Sequence, residues 1–201
     1  MPQENRWLLW GTKAFFHLVG LLPLLWLIFL IDSGQLGADP AKDIQHYTGI
    51  ATLRLLVLIA LIPLAVRLLR FNILFQTRKL LGLWCFFWAA LHLSSYLLLE
   101  IGVNNLALFF DEVFSRVYLI LGMVGWLCLF LMAISSFNGI RIRLGVWWKR
   151  IHTLLYPTLL LVITHYILSM KTMTPEPIIY LVIVGCAFAY RTWSLKKPAV
   201  I

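Results

Sequence analysis

The chain has 201 residues, a length that suits one domain, yet 62% of them are hydrophobic and the mean hydropathy is +0.90. A soluble globular core does not have this composition, so the sequence belongs to an integral membrane protein whose surroundings are lipid. The net charge of +9 does not mark a nucleic-acid binder, because the basic residues gather between apolar runs.

Six runs are apolar enough to be candidate spans, at about residues 8–31, 44–69, 80–101, 114–137, 150–170 and 178–193. None alternates with period two, which excludes a barrel and predicts an all-α, polytopic helical bundle over 1–201. Thirteen of the 17 Lys and Arg fall at Arg6 and Lys13, from Arg67 to Lys79, from Arg141 to Arg150, and from Arg191 to Lys197. Lys42, Arg116 and Lys171 lie in the alternate loops, where every acid but Glu4 also falls. Since cytoplasmic loops keep the positive residues, the expected arrangement is six transmembrane helices with both termini cytoplasmic.

The first run carries His17, which lacks a ligand-spaced partner nearby and reads more readily as an interhelical hydrogen-bonding residue. It has no small-x-small cleavage site and is expected to be retained. A loop rich in Gly, Asp and Pro leads to the polar and aromatic segment Asp43-Ile-Gln-His-Tyr-Thr-Gly49, read as interfacial, with a quinone or partner contact at His46 as the minor alternative. Arg54 lies inside the second run; it either pairs with an anionic cofactor group, such as a haem propionate, or snorkels to the outer interface. Pro63 is expected to bend this helix.

His92, in the third run, lies thirteen residues past the basic anchor Lys79, and His165, in the fifth, fifteen past Arg150. At about 1.5 Å per residue their depths differ by roughly 3 Å, close enough to grip one planar cofactor from two sides. His152 belongs near the cytoplasmic surface, and Pro157 between it and His165 is expected to distort the helix. The segment from Gly102 through the acids Asp111 and Glu112 reads as a loop, that from Arg141 to Lys149 as a basic loop, and Gly122-Met-Val-Gly125 as close helix packing. Cys85, Cys128 and Cys186 all lie in apolar runs without Cys-x-x-Cys spacing and read as small buried hydrophobes. Neither a Gly-x-Gly-x-x-Gly nor a P-loop occurs, so nicotinamide or ATP binding and an appended soluble domain are not expected in this sequence.

Haem iron accepts imidazole nitrogen, and a porphyrin between helices needs apolar and aromatic walls. Three histidines at matched or opposed depths, among nine tryptophans and thirteen phenylalanines, point to haem. A second imidazole closes the iron to oxygen and favours electron transfer. The rivals are a stand-alone reductase of ferric iron or oxygen at the outer face and a haem-free transporter or assembly subunit, with the histidines and Arg54 forming an ion path.

The segments Leu36-Gly-Ala-Asp-Pro40, Asp43-Ile-Gln-His46, Arg78-Lys-Leu-Leu-Gly-Leu-Trp-Cys85, Leu91-His-Leu-Ser-Ser-Tyr96 and Gly102-Val-Asn-Asn-Leu106 resemble the MsrQ (YedZ) family, haem-binding membrane subunits of bacterial periplasmic methionine sulfoxide reductase systems. That resemblance implies a b-type cytochrome passing electrons from the quinone pool to a periplasmic molybdenum-containing reductase, MsrP, which repairs oxidised proteins; it also brings in FMN, for which no motif is found here. The wider resemblance is to ferric reductase and NADPH oxidase membrane domains, where two histidines on each of two helices hold two haems. By that resemblance His92 and His165 are the outer pair and His152 is one inner ligand, while Arg78 stands where the fourth is expected. A second haem would then need another ligand, such as His17. Electrons would come from quinol or from a separate cytoplasmic flavin reductase.

Overall fold

The computed structural model describes residues 3–170, 172 and 174–196, and among them it contains nine α-helices and no strand. Lys171 and Lys197, two of the charges used to orient the chain, lie outside the described residues, as do the side chains of Glu4, Arg191 and Lys196. Five helical stretches are long and apolar enough to cross a membrane: Arg6–Asp32, Pro40–Leu69, Leu74–Ile101, Val117–Ser135 and Val146–Ser169. The sixth expected run falls in a helix whose apolar part, Pro175–Tyr190, is shorter.

In chain order, α1 is Gln3–Asp32, α2 Pro40–Leu69 and α3 Leu74–Ser95, which continues as a π-helical turn over Tyr96–Ile101. Then come α4 (Leu106–Ser115), α5 (Val117–Ser135), α6 (Asn138–Leu144), α7 (Val146–Thr153), α8 (Leu155–Ser169) and α9 (Pro175–Lys196). α2 is the hub: 56% of its apolar window is buried, against 17–28% in the other four spans. It packs against α1, α3, α8 and α9, while α5 packs against α3 and α8.

Two segments expected to be loops are helical. α4 forms because Phe109 and Val113, four residues apart, share a buried face while Asp111 stays exposed. The basic loop folds as α6 and α7, joined at Gly145, whose φ of +49° suits glycine. The fifth expected run is broken between α7 and α8, where Leu154 N–H turns back to the Ile151 carbonyl at 3.1 Å. Pro157 accounts for the break: it has no N–H to continue the α7 ladder and is tolerated in the first turn of α8.

α2 begins at Asp39, whose carboxylate accepts the Lys42 N–H at 3.3 Å and also pairs with the Lys42 ammonium, with Pro40 next in line. The Lys42 side chain, and then its backbone N–H, hold the Asp39 carboxyl below its ordinary value. A lowered carboxyl favours the folded state above its unfolded value, so this contribution is lost as pH falls through the lowered one.

α1 is fixed to α3 by two indoles. Trp84 Nε1 donates to His17 Nδ1 at 3.2 Å, and the fully buried Trp88 donates to the Gly20 carbonyl at 3.1 Å. A Cβ at Gly20 would overlap the Trp84 indole. Gly20→Ala is therefore expected to cost about 1–3 kcal/mol of overpacking and to lower the thermal midpoint in detergent, measured by circular dichroism.

Candidate haem site

Helix α3 carries His92 and α8 carries His165, and the fold sets their rings face to edge with centroids 6.2 Å apart and planes at 78°. The depth matching expected from the basic anchors thus corresponds to direct proximity.

Each ring is seated by the same device on a neighbouring helix. His92 Nδ1–H donates to the Gln45 carbonyl of α2 at 2.9 Å, and a Cβ on Gly49 would come within 3.0 Å of the His92 ring. His165 Nδ1–H donates to the Tyr118 carbonyl of α5 at 2.6 Å, and a Cβ on Gly122 would come within 2.9 Å of that ring. Residues i and i+4 share a helix face. In both cases, then, a glycine four residues after the acceptor opens a notch through which an imidazole reaches a helix carbonyl. Thr48 Oγ1, 3.4 Å from His92 Nδ1, adds a further acceptor.

A carbonyl can only accept, so these bonds place the proton on Nδ1 of both rings and leave the Nε2 lone pairs for a metal. Two metal–imidazole bonds of about 2.0 Å, with roughly 1.1 Å from each nitrogen to its ring centroid, span about 6.2 Å. The observed separation agrees with one ion between the two rings. Among the described residues no three His, Cys, Asp or Glu side chains cluster for a metal, so the pair suits a macrocycle that brings its own in-plane donors. Aromatic walls are at hand: Phe86 of α3 lies 5.6 Å from Trp126 of α5, and Trp126 stacks on Phe130 at 5.3 Å. Trp126 Nε1, one turn beyond Gly122, is buried without a hydrogen-bond partner, an orphan donor where a bound group could accept. These residues fit a haem.

The other candidates are placed elsewhere. His152 folds onto its own helix: its Nδ1–H donates to the Trp148 carbonyl at 3.0 Å, Nε2 lies 3.4 Å from Ser136 Oγ, and the ring packs on Trp148 at 4.4 Å. His17, the possible substitute ligand, has Nδ1 engaged by Trp84. His46 packs against Tyr166, centroids 5.8 Å apart. Arg54 is neither alone nor simply snorkelled: Nη2 meets Glu176 of α9 at 3.3 Å and Nε donates to Tyr180 at 3.0 Å. Tyr166 also donates to Glu176, at 3.2 Å, which ties α2, α8 and α9 together beside His165. The side chains of Arg54 and Glu176 are 65% and 38% exposed, so the ion pair is worth no more than about 1 kcal/mol. Arg54→Gln is expected to leave haem content unchanged in a haem-to-protein assay.

Reading the sequence passed over Gln45, Gly49, Tyr118 and Gly122 as parts of a histidine site. The one available signal was glycine four residues after an interfacial residue, at 45/49 and again at 118/122.

The fold and site define a polytopic membrane helical bundle that brings two imidazoles from separate helices to a centroid separation of 6.2 Å. Residues 48–163 match the family model described as ferric reductase like transmembrane component. That stretch covers more than half of the chain, and the chain belongs to this family. The match includes His92, Gly122 and His152 and stops two residues short of His165. A membrane electron-transfer role follows from the family, whose domains generally bind haem.

Proposed function

We propose that this chain is a six-crossing b-type cytochrome of the bacterial inner membrane, with both termini cytoplasmic, that carries electrons from the quinone pool to a periplasmic molybdenum-containing methionine sulfoxide reductase of the MsrP type. The observation that carries the haem assignment is the pair of matching notches that seat His92 and His165 with their Nε2 atoms available. The partner assignment is supported by the MsrQ-like segments, from Leu36-Gly-Ala-Asp-Pro40 to Gly102-Val-Asn-Asn-Leu106.

Haem, when bound, supplies a one-electron ferric–ferrous couple. The protein's part is to hold the two imidazoles at fixed separation and orientation. The Gln45 and Tyr118 carbonyls keep each ring in one tautomer and raise its basicity, and the apolar helices around them keep water out. His92 and His165 would hold the group from both sides, which would favour electron transfer over oxygen binding. FMN is implied by the MsrQ resemblance alone, and no flavin motif occurs in the sequence.

One haem per chain is the reading favoured by the placement of His152 against Trp148 and Ser136. His152→Ala is therefore expected to leave the haem-to-protein ratio unchanged. The function is tested by reconstituting the haem-loaded protein with quinol and the periplasmic reductase and following methionine sulfoxide reduction. Turnover that needs all three components supports it. Equal rates of ferric chelate or oxygen reduction without the reductase would replace it with the stand-alone reductase.

A further inference from the structure

Helices α4 and α5 meet at a single residue. Arg116 closes α4 and opens α5 in an extended conformation, with φ −118° and ψ 116°. Its carbonyl accepts the N–H groups of Leu119 at 3.0 Å and Ile120 at 3.2 Å, which starts α5. No side-chain cap begins that helix, so the backbone alone leaves the angle between α4 and α5 to the two soft dihedrals of one residue.

A side-chain strut spans the joint. Arg116 Nε lies 2.7 Å from a carboxylate oxygen of Glu112, in the last turn of α4, and Arg116 Nη1 donates to the Tyr118 hydroxyl of α5 at 3.2 Å. A guanidinium suits this place because its planar fork serves two acceptors at once. Glu112 is itself well anchored: Phe109 and Val113 are buried on either side of it in sequence, and Phe109 packs on Tyr96 with ring centroids 6.2 Å apart.

Tyr118, at the far end of the strut, is the residue that seats His165. It does so twice, by its carbonyl, which accepts Nδ1–H at 2.6 Å, and by its ring, whose centroid is 6.1 Å from that of the imidazole with planes at 36°. The two seats differ in support. Gln45, which seats His92, lies inside α2, whereas Tyr118 is the second residue of α5, in a terminal turn of the kind that frays. Lys42 and Arg54 do other work, the first pairing with Asp39 at the start of α2 and the second with Glu176 of α9.

We infer that Arg116 is a positioning residue of the haem site: tied to Glu112 and Tyr118, it fixes the entry of α5 and thereby the carbonyl and phenol ring that orient the His165 imidazole. The inference rests on the haem reading above.

The test is the rate of haem loss from the purified full chain to excess apomyoglobin, read together with the electron paramagnetic resonance spectrum of the oxidised protein. Arg116→Gln is expected to speed the loss by roughly three- to tenfold, less than the 10- to 100-fold that a direct partner of a ligand commands. The largest g value should fall as the His165 plane turns from its near-perpendicular setting. Tyr118→Phe keeps the carbonyl but removes the acceptor of the strut, so it should act alike, and the double variant should be no worse. Arg116→Lys keeps the charge without the fork and should not recover the rate. Arg116→Gln should add little to Gly122→Ala, which already dislodges His165, and should multiply with Gly49→Ala, which acts on His92. Unchanged loss and spectrum in Arg116→Gln, full recovery by lysine, or equal multiplication with both glycine variants would overturn the inference. If the unmodified chain holds no haem, the haem reading falls on its own. The strut is then judged by the nitrogen NMR shifts of the His165 imidazole: a change in Arg116→Gln upholds it, and unchanged shifts overturn it.

Discussion

His92→Ala and His165→Ala should each leave the purified protein with less than about a tenth of the haem of the unmodified chain, because changes to partners behind a ligand already cost 10- to 100-fold in metal affinity. Both are half-seats of one site, so the two losses should be equally severe and the double variant no worse than either. Haem per chain by the pyridine haemochrome assay reads the effect, and a monodisperse elution profile separates loss of haem from loss of fold. Full retention in either variant would remove that histidine from the site.

The second large effect concerns residues that touch no cofactor in this account. Gly122→Ala places a Cβ within 2.9 Å of the His165 ring, and Gly49→Ala within 3.0 Å of the His92 ring. Contacts this close oblige the imidazole to retreat from its carbonyl, so that the Nδ1–H bonds to Tyr118 and Gln45 weaken and each ring loses its fixed orientation. Haem affinity should fall by about 10- to 100-fold in Gly122→Ala and by somewhat less in Gly49→Ala, while helicity is retained. Gly125→Ala is the control, because a Cβ there meets Val162 Cγ2 at 3.2 Å and neither histidine ring. Unchanged haem titration curves in Gly122→Ala and Gly49→Ala would show that the notches do not hold the ligands in place.

What could be read from the sequence was whatever depends on distance along a helix. Counting residues from Lys79 and Arg150 put His92 and His165 at one depth, since helical rise is linear, and the rings do meet. Direction around the helix and pairing between helices were harder. Arg54 stood out as an intramembrane cation, but its partner Glu176 is 122 residues away and has no local signature. The ligands' own partners, Gln45 and Tyr118, were hidden for a different reason: they contribute backbone carbonyls, which every residue carries. Gly122 was read as a site of close packing, correct in kind, yet what packs there is an imidazole and not a helix. α4 escaped because Asp111 and Glu112 drew attention as loop charges, whereas Phe109 and Val113 on one buried face decide its conformation. Pro157 did signal the break between His152 and His165.

The electron paramagnetic resonance spectrum of the oxidised, haem-loaded protein, taken with a haem count, tests the central claim most directly. Two histidines as axial ligands make the iron low-spin, and imidazole planes set at 78° keep two of its d orbitals nearly degenerate, which gives a signal with an unusually large principal g value. One such haem b per chain is the predicted result. A high-spin signal, or protein that stays colourless when expressed with ample haem, would contradict the account.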